Sequence, residues 1–174
     1  TPQLLFEEST TTLLATNFIH KENDLNEFKD QILLPHTFSR SGPFISMADV
    51  DQNGEDDFFF GVAAGQAGSL YLQFNDNFSK KSVAAFEKDK SYEDMGSTWL
   101  DVDQDGDLDL YVVSGGSEFA ENSKMYSDRL YVNDGKGNFT SQLISETKSS
   151  GSCIVPYDVD GDGDLDLFRG GQVV

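Results

Sequence analysis

Cysteine is almost absent from the sequence, which contains a single one, Cys153. The chain therefore cannot form an internal disulfide bond. Cys153 lies in the apolar run Cys153-Ile-Val-Pro-Tyr157, and we expect it to be a small buried hydrophobic side chain rather than a reactive thiol. The two histidines have no cysteine or histidine near them at the spacing of zinc ligands, so a zinc site is not expected.

Basic residues and long apolar runs are also scarce. The sequence has 12 Lys and Arg against 31 Asp and Glu, which gives a formal net charge of −19 at pH 7. A surface of this charge repels the phosphates of nucleic acids and of anionic membranes. Because no apolar stretch approaches the roughly 20 residues that cross a bilayer, we expect neither a nucleic-acid partner nor insertion into a membrane.

Carboxylates are abundant, and many of them lie in three similar segments of the chain. We name these segments loop 1 (49–57), loop 2 (101–109) and loop 3 (158–166). Acidic or amide side chains occupy positions 1, 3, 5 and 9 of each loop, and glycine at position 6 permits a sharp turn. Calcium takes about six to eight oxygen ligands from such a turn, so each loop predicts a calcium site, with position 7 contributing its backbone carbonyl. The predicted metal ligands are Asp49, Asp51, Asn53, Glu55, Asp57, Asp101, Asp103, Asp105, Asp107, Asp109, Asp158, Asp160, Asp162, Asp164 and Asp166.

Three alternative interpretations of the loops agree less well with the sequence than calcium sites in β-hairpins do. Plain surface turns do not need a carboxylate at every second residue in three copies. An EF-hand needs a Glu at position 12 and a helix on each side, whereas position 12 is Phe60, Val112 and Arg169 and the flanking runs are typical of strands. The tetrad Asp158-Val-Asp160-Gly161 resembles the nucleophile signature of haloacid-dehalogenase-type phosphatases, but similar tetrads recur in loops 1 and 2 and only 14 residues follow Asp160.

The spacing of the loops predicts a repeated unit of four strands. Short runs rich in aromatic and β-branched residues precede and follow each loop, which places the loop in a β-hairpin. A second hairpin with an Asn/Asp/Gly turn follows in the first two repeats, at residues 70–78 and 130–139. The loops begin at residues 49, 101 and 158, spacings of 52 and 57 residues, which are close to one propeller blade. Extra residues between Glu118 and Arg129 predict an exposed insertion in the second unit.

With these loops and hairpins, the chain resembles the FG-GAP/VCBS repeats, the calcium-bearing blades of integrin-α-type β-propellers. More narrowly, Ser41-Gly42-Pro43, Gly61-Val-Ala-Ala-Gly65 and the Leu-Tyr-x-Asn turn are similar to cartilage-acidic-protein-like secreted proteins of bacteria. The resemblance implies an all-β fold of four-stranded antiparallel blades, in which the calcium loop joins the first and second strands. Asn53 replaces an acid in loop 1 and is expected to weaken ion binding there.

The same resemblance suggests how the chain is divided. Residues 1–40 are expected to be outer strands and a connector of a preceding blade, residues 41–92 a blade with loop 1, residues 93–148 a blade with loop 2, and residues 149–174 a partial blade with loop 3. The expected architecture is thus an incomplete propeller, a piece of a longer chain. Its unpaired blade ends predict self-association.

For function, the sequence favours a non-catalytic module without catalytic residues, because the calcium loops account for the clustered polar residues. We expect up to three calcium ions and a protein or glycan ligand that meets exposed loops such as residues 118–129. Loops without a bidentate Glu suit the roughly millimolar calcium of the extracellular space, the cell surface or the periplasm. The alternative is the scaffold of a propeller-based calcium-dependent enzyme such as a polysaccharide lyase, with Tyr126, Lys124 or His20 as candidate groups for the chemistry.

Overall fold

The computed structural model describes residues 7–14, 18–29, 31–34, 37–144 and 147–171. Ten strands in these residues form two four-stranded antiparallel sheets and one separate hairpin. The first sheet has the order β1 (Ile45–Ala48), β2 (Asp57–Phe60), β3 (Ser69–Phe74) and β4 (Asn77–Lys81). The second has the order β5 (Asp94–Leu100), β6 (Asp109–Ser114), β7 (Arg129–Asn133) and β8 (Phe139–Leu143), and the hairpin consists of β9 (Gly151–Tyr157) and β10 (Asp166–Gly171). The predicted all-β fold of four-stranded antiparallel blades is therefore confirmed.

Each acidic loop connects the first and second strands of its unit, and the register of the strands is the same in all three. Ala48 pairs with Asp57, Leu100 with Asp109, and Tyr157 with Asp166. The residue before position 1 thus always faces position 9 across the hairpin. This register brings the two ends of each loop together without help from any other unit.

The hydrophobic cores lie between successive units. Strand β6 shows why, since alternate side chains of a strand point to opposite faces of the sheet. Leu110 and Val112 pack toward the first sheet, in a cluster with Val50 and Phe59. The intervening side chains, Tyr111 and Val113, pack instead with Ile154 and further residues of the second core. The second sheet therefore packs through both faces, as a blade between two neighbours does.

Two short helices complete the described secondary structure, α1 (Thr10–Leu13) and α2 (Ala84–Lys88), together with 3-10 turns at Glu27–Lys29 and Lys124–Tyr126. Helix α2 connects the two sheets and places Phe86 in the core between them, with its ring 4.9 Å from the ring of Tyr131. The described part of residues 1–40 contains α1 and one 3-10 turn but none of the expected outer strands of a preceding blade. The domain boundaries remain a prediction.

The prediction that Cys153 is buried is wrong, because its thiol is exposed. Cys153 lies on the same face of β9 as Val155 and Tyr157, and all three side chains are exposed. Ile154 points to the opposite face and packs into the second core. The apolar run therefore has one buried face and one face that no described residue covers.

Candidate metal centres

Three aspartates of each loop converge on one point. The carboxylates at positions 1, 3 and 9 each offer an oxygen that lies within 4.8 Å of the others, and this arrangement occurs in all three loops. The three groups are Asp49, Asp51 and Asp57; Asp101, Asp103 and Asp109; and Asp158, Asp160 and Asp166. The structure thus brings together nine of the predicted ligands as three equivalent groups.

The side chain at position 1 shapes the turn. In loop 1, Asp49 accepts hydrogen bonds from the backbone N–H groups of Asn53 at 2.9 Å and Gly54 at 2.8 Å. In loop 2, Asp101 repeats this pattern with Asp105 and Gly106. The glycine at position 6 has a φ of +89° in loop 1, a left-handed conformation that side chains rarely adopt. The predicted role of this glycine in the bend is confirmed.

Positions 5 and 7 lie outside the three aspartate groups. The side-chain oxygen of Asn53 accepts a hydrogen bond from the backbone N–H of Glu55 at 2.7 Å, and position 5 does the same in loops 2 and 3. The side chain of Glu55 turns away to accept from the backbone N–H of Asn75 at 2.8 Å. A position 7 side chain that is engaged elsewhere leaves its backbone carbonyl as the atom for an ion, so the predicted ligation through this carbonyl is compatible with the geometry.

Position 9 connects the loop to the sheet. Asp57 is fully buried and accepts hydrogen bonds from the backbone N–H groups of Val50 at 2.9 Å and Gln73 at 2.8 Å. Asp109 is also fully buried, and it accepts from Val102 and from Asn133. Each of these two carboxylates thereby fastens its loop to the third strand of the same unit.

The electrostatics of the loops favour a bound cation. Burial raises the pKa of Asp57, and the nearby charges of Asp51 and Asp49 add to this effect, while the hydrogen bonds from Gln73 and Val50 oppose it. The pKa of Asp103 is raised as well, by desolvation and then by the carboxylates of its own loop. Both shifts mean that desolvation first, and the neighbouring carboxylates of the same loop second, disfavour the ionised forms, and a nearby positive charge offsets both effects.

The residues present also fit a hard divalent cation such as calcium in their chemistry. The three converging side chains of every loop offer only carboxylate oxygens, which are the ligands that calcium prefers. One of these oxygens, Oδ1 of Asp51, is buried and has no hydrogen-bond partner among the described residues. An unpaired buried carboxylate oxygen is costly unless something positive faces it.

The three candidate groups for lyase chemistry, Tyr126, Lys124 and His20, do not converge as the aspartates of the loops do. Tyr126 is fully buried, its hydroxyl donates a hydrogen bond to the backbone carbonyl of Phe119 at 2.6 Å, and burial raises its pKa. Lys124 is exposed, and Nε2 of His20 lies 2.7 Å from Oε1 of Glu22. In the part of the chain that the structure describes, no hydrogen bond joins any two of the three candidates.

Sequence reasoning missed the residues that link one loop to its neighbours. Asn133 holds both loop 1 and loop 2 through its side chain, and Gln52 of loop 1 donates to Asp107 of loop 2. A signal for Asn133 was available, because it ends the run Leu130-Tyr-Val-Asn133, which corresponds to Leu70-Tyr-Leu-Gln73 in the first unit. No comparable signal marks Gln52, since an exposed glutamine in a turn is common in any sequence.

A membrane span is not found, since no helix in the described ranges is long and apolar enough to cross a bilayer.

No curated protein matches the chain. The model of the FG-GAP-like repeat matches residues 49–112 and again residues 101–168. Each match begins at position 1 of an acidic loop and includes the next loop, and together they span well over half of the 174 residues. The chain belongs to the FG-GAP-like repeat family.

Proposed function

We propose that the chain is a calcium-stiffened array of propeller blades that acts as a non-catalytic binding or scaffold module. The observation that carries the proposal is the recurrence of one group of three converging aspartates in the same register of three successive hairpins. Repeated acidic turns that served only solubility would not need the same three carboxylates within 4.8 Å in every copy. Up to three ions per chain are expected.

The chain's own residues transmit the effect of an ion from the loop to the sheet. A bound calcium ion supplies positive charge that removes the repulsion among the three carboxylates. Asp57 and Asp109 hold the third strands through the N–H groups of Gln73 and Asn133. Ordering of a loop therefore also orders the connection between the first hairpin and the second hairpin of a blade.

Exposed loops on this framework are the proposed contact surface for a protein or glycan ligand. The C-terminal part of the insertion in the second unit is anchored in the protein, because Tyr126 is buried and Arg129 forms an ion pair with Asp94 at 2.5 Å. Its exposed part is the tip at residues 120–122 together with Lys124. A partner would meet this tip, whereas residues 126–129 are buried and the other residues of the insertion are half-buried.

The location and the assembly of the module are part of the proposal. Extracellular space, a cell surface or the periplasm supplies the roughly millimolar calcium that loops of this kind require. Exposed apolar side chains such as Met47 on β1 and Val155 on β9 favour self-association between copies of this chain. Sedimentation velocity at rising protein concentration tests this, and a monomer at all concentrations would contradict it.

Thermal unfolding in EDTA and in a millimolar calcium series, with calorimetric titration for stoichiometry, tests the proposal. The melting temperature should rise with calcium, because an ion that binds only the folded chain stabilises it. Asp103→Ala and Asp160→Ala should each remove one ion. Asp56→Ala is the matched control, since Asp56 is an exposed carboxylate of loop 1 outside the aspartate groups. Unchanged melting in calcium would refute the proposal.

The absence of catalysis is tested separately. Incubation with acidic polysaccharides should produce no rise in the ultraviolet absorbance that the unsaturated products of β-elimination cause. Activity that is lost in Lys124→Ala or Tyr126→Phe, with the fold retained, would overturn the non-catalytic assignment.

A further inference from the structure

Loops 1 and 2 are in direct contact, although they belong to different blades. The side-chain amide of Gln52 in loop 1 donates a hydrogen bond to the backbone carbonyl of Gly106 in loop 2 at 3.2 Å. The same amide also donates to the carboxylate of Asp107. An ordered loop 2 thus presents two acceptors to one side chain of loop 1.

Asn133 forms a second connection between the same loops. Its backbone N–H donates to Oδ1 of Asp109, the position 9 carboxylate of loop 2, at 2.8 Å. Its side-chain amide donates to the backbone carbonyls of Val50 in loop 1 at 2.8 Å and of Leu108 in loop 2 at 3.1 Å. Val50 in turn donates its N–H to Asp57, the position 9 carboxylate of loop 1. Asn133 and Val50 therefore connect the two buried carboxylates through three hydrogen bonds.

Loops 2 and 3 lack this connection. Gln104 corresponds to Gln52, but the described residues contain no hydrogen bond between its side chain and loop 3. Val102 corresponds to Val50, yet its side chain is 45% exposed whereas that of Val50 is 1% exposed. A cleft of about 600 Å³ lined by Gln104, Gly163 and other residues of both units lies at this place.

We infer that Gln52 and Asn133 are positioning residues that couple calcium binding by loop 1 to calcium binding by loop 2, whereas loop 3 binds independently. The inference rests on the proposed calcium function. Coupling energies between sites typically correspond to a change in affinity of about fivefold or more. We expect loop 1 to bind calcium about fivefold more tightly when loop 2 is loaded, and the reverse by the same factor.

The coupling should be positive for a physical reason. Without a cation, the repelling carboxylates of each loop favour a spread of conformations, so the first ion must order its loop at an entropic cost. An ordered loop 2 fixes Gly106 and Asp107, which accept from Gln52. It also holds Asn133, whose backbone N–H donates to Asp109 and whose side-chain amide donates to Leu108. Loop 1 is then already partly ordered before its own ion binds, so the entropic cost of ordering that opposes binding is smaller.

Calorimetric calcium titration of a two-site background tests this inference. Asp160→Ala removes loop 3 and leaves loops 1 and 2, and adding Asp103→Ala leaves loop 1 alone. Loop 1 should lose about fivefold in affinity when loop 2 is disabled in this way. Amide hydrogen exchange of residues 49–57 should show the same dependence, which provides a readout of ordering besides binding.

Gln52→Gly is the decisive substitution, because it removes the side-chain link without straining the loop. Gln52 has a φ of +59°, which glycine adopts easily, and loop 3 carries Gly161 at this position with a φ of +76°. Gln104→Gly makes the same change in loop 2, where no link exists among the described residues, and is the matched control. Gln52→Gly should reduce the ratio of the calcium affinities of loop 1, measured with and without a functional loop 2, from about fivefold toward one, and Gln104→Gly should leave this ratio unchanged. Asn133→Ala should also reduce it.

The outcomes separate the inference from the function on which it rests. If the unmodified chain binds no calcium, the proposed function fails. If both loops bind but the affinity of loop 1 is the same with and without a functional loop 2, the function stands and the coupling is refuted. Coupling that persists in both Gln52→Gly and Asn133→Ala would overturn the assignment of these two residues.

Discussion

Asp51→Ala should destabilise the protein only when calcium is present. Asp51 is at position 3 of loop 1, where its Oδ1 is buried and without a hydrogen-bond partner in the described residues. In the ion-free protein its removal therefore breaks no hydrogen bond seen in the structure and relieves repulsion with Asp49 and Asp57. In the calcium-bound protein it removes a ligand.

The expected magnitude follows from linkage. Extracellular calcium modules bind at roughly 0.1–1 mM, so 10 mM calcium stabilises the folded chain by about 1.4–2.7 kcal/mol for each site. A chain of this size changes its melting temperature by about 2–4 °C for each kcal/mol. Asp51→Ala should thus lower the melting temperature by roughly 3–11 °C in 10 mM calcium and leave it unchanged or slightly raised in EDTA.

Asp57→Ala provides the contrast within the same loop. Asp57 is fully buried and accepts the N–H groups of Val50 and Gln73, so its removal leaves two backbone donors unpaired. Each unpaired buried donor costs about 1–3 kcal/mol. This variant should therefore be destabilised in EDTA as well as in calcium.

Differential scanning calorimetry of both variants, in EDTA and in 10 mM calcium, distinguishes the two roles. The reasoning would be refuted if Asp51→Ala lost as much stability in EDTA as in calcium, because Asp51 would then support the hairpin itself. It would also be refuted if Asp57→Ala were harmless in EDTA.

Three further predictions concern residues outside the loops. Burial raises the pKa of Glu93 to about 8, so between pH 4.5 and 8 the folded chain holds a proton that the unfolded chain releases. The free energy of unfolding should therefore fall as the pH rises from about 5 to 8, and in Glu93→Gln, measured by urea unfolding, it should depend less steeply on pH. Asp94→Ala leaves the buried guanidinium of Arg129 without its carboxylate and should cost about 3–5 kcal/mol in urea unfolding, whereas Asp24→Ala, at an exposed pair, should cost under about 1 kcal/mol; equal losses would contradict the burial argument. The exposed thiol of Cys153 should react with Ellman's reagent in the folded protein, and a need for denaturant would show that it is covered.

The loops could be predicted from the sequence because their structure is local. In loop 1, Asp49 bonds to the N–H groups of residues only four and five positions away, and Gly54 supplies the left-handed turn. Nine contiguous residues thus contain nearly all the information that the turn requires. The repeat spacing then predicted the four-stranded units, since each unit folds from consecutive hairpins.

The short helices could not be predicted in the same way. Helix α2, Ala84–Lys88, is five residues long, too short to show a helical period and too short to be stable in isolation. It is held by Phe86, whose ring packs against rings of both sheets, including those of Phe59 and Tyr131. Its existence depends on the core between the sheets.

By itself, the sequence determined the family, the all-β units and the three groups of acidic residues, because turn chemistry and strand pairing within a hairpin act between near neighbours in the chain. Only the tertiary structure decided which side chains join different units. Asn133 meets Val50 across 83 residues of sequence, and Gln52 meets Gly106 across 54. Only the tertiary structure shows that Cys153 is exposed, because burial of a strand residue depends on which face of the strand another unit covers. These contacts depend on how the blades stack, and no local pattern in the sequence contains that geometry.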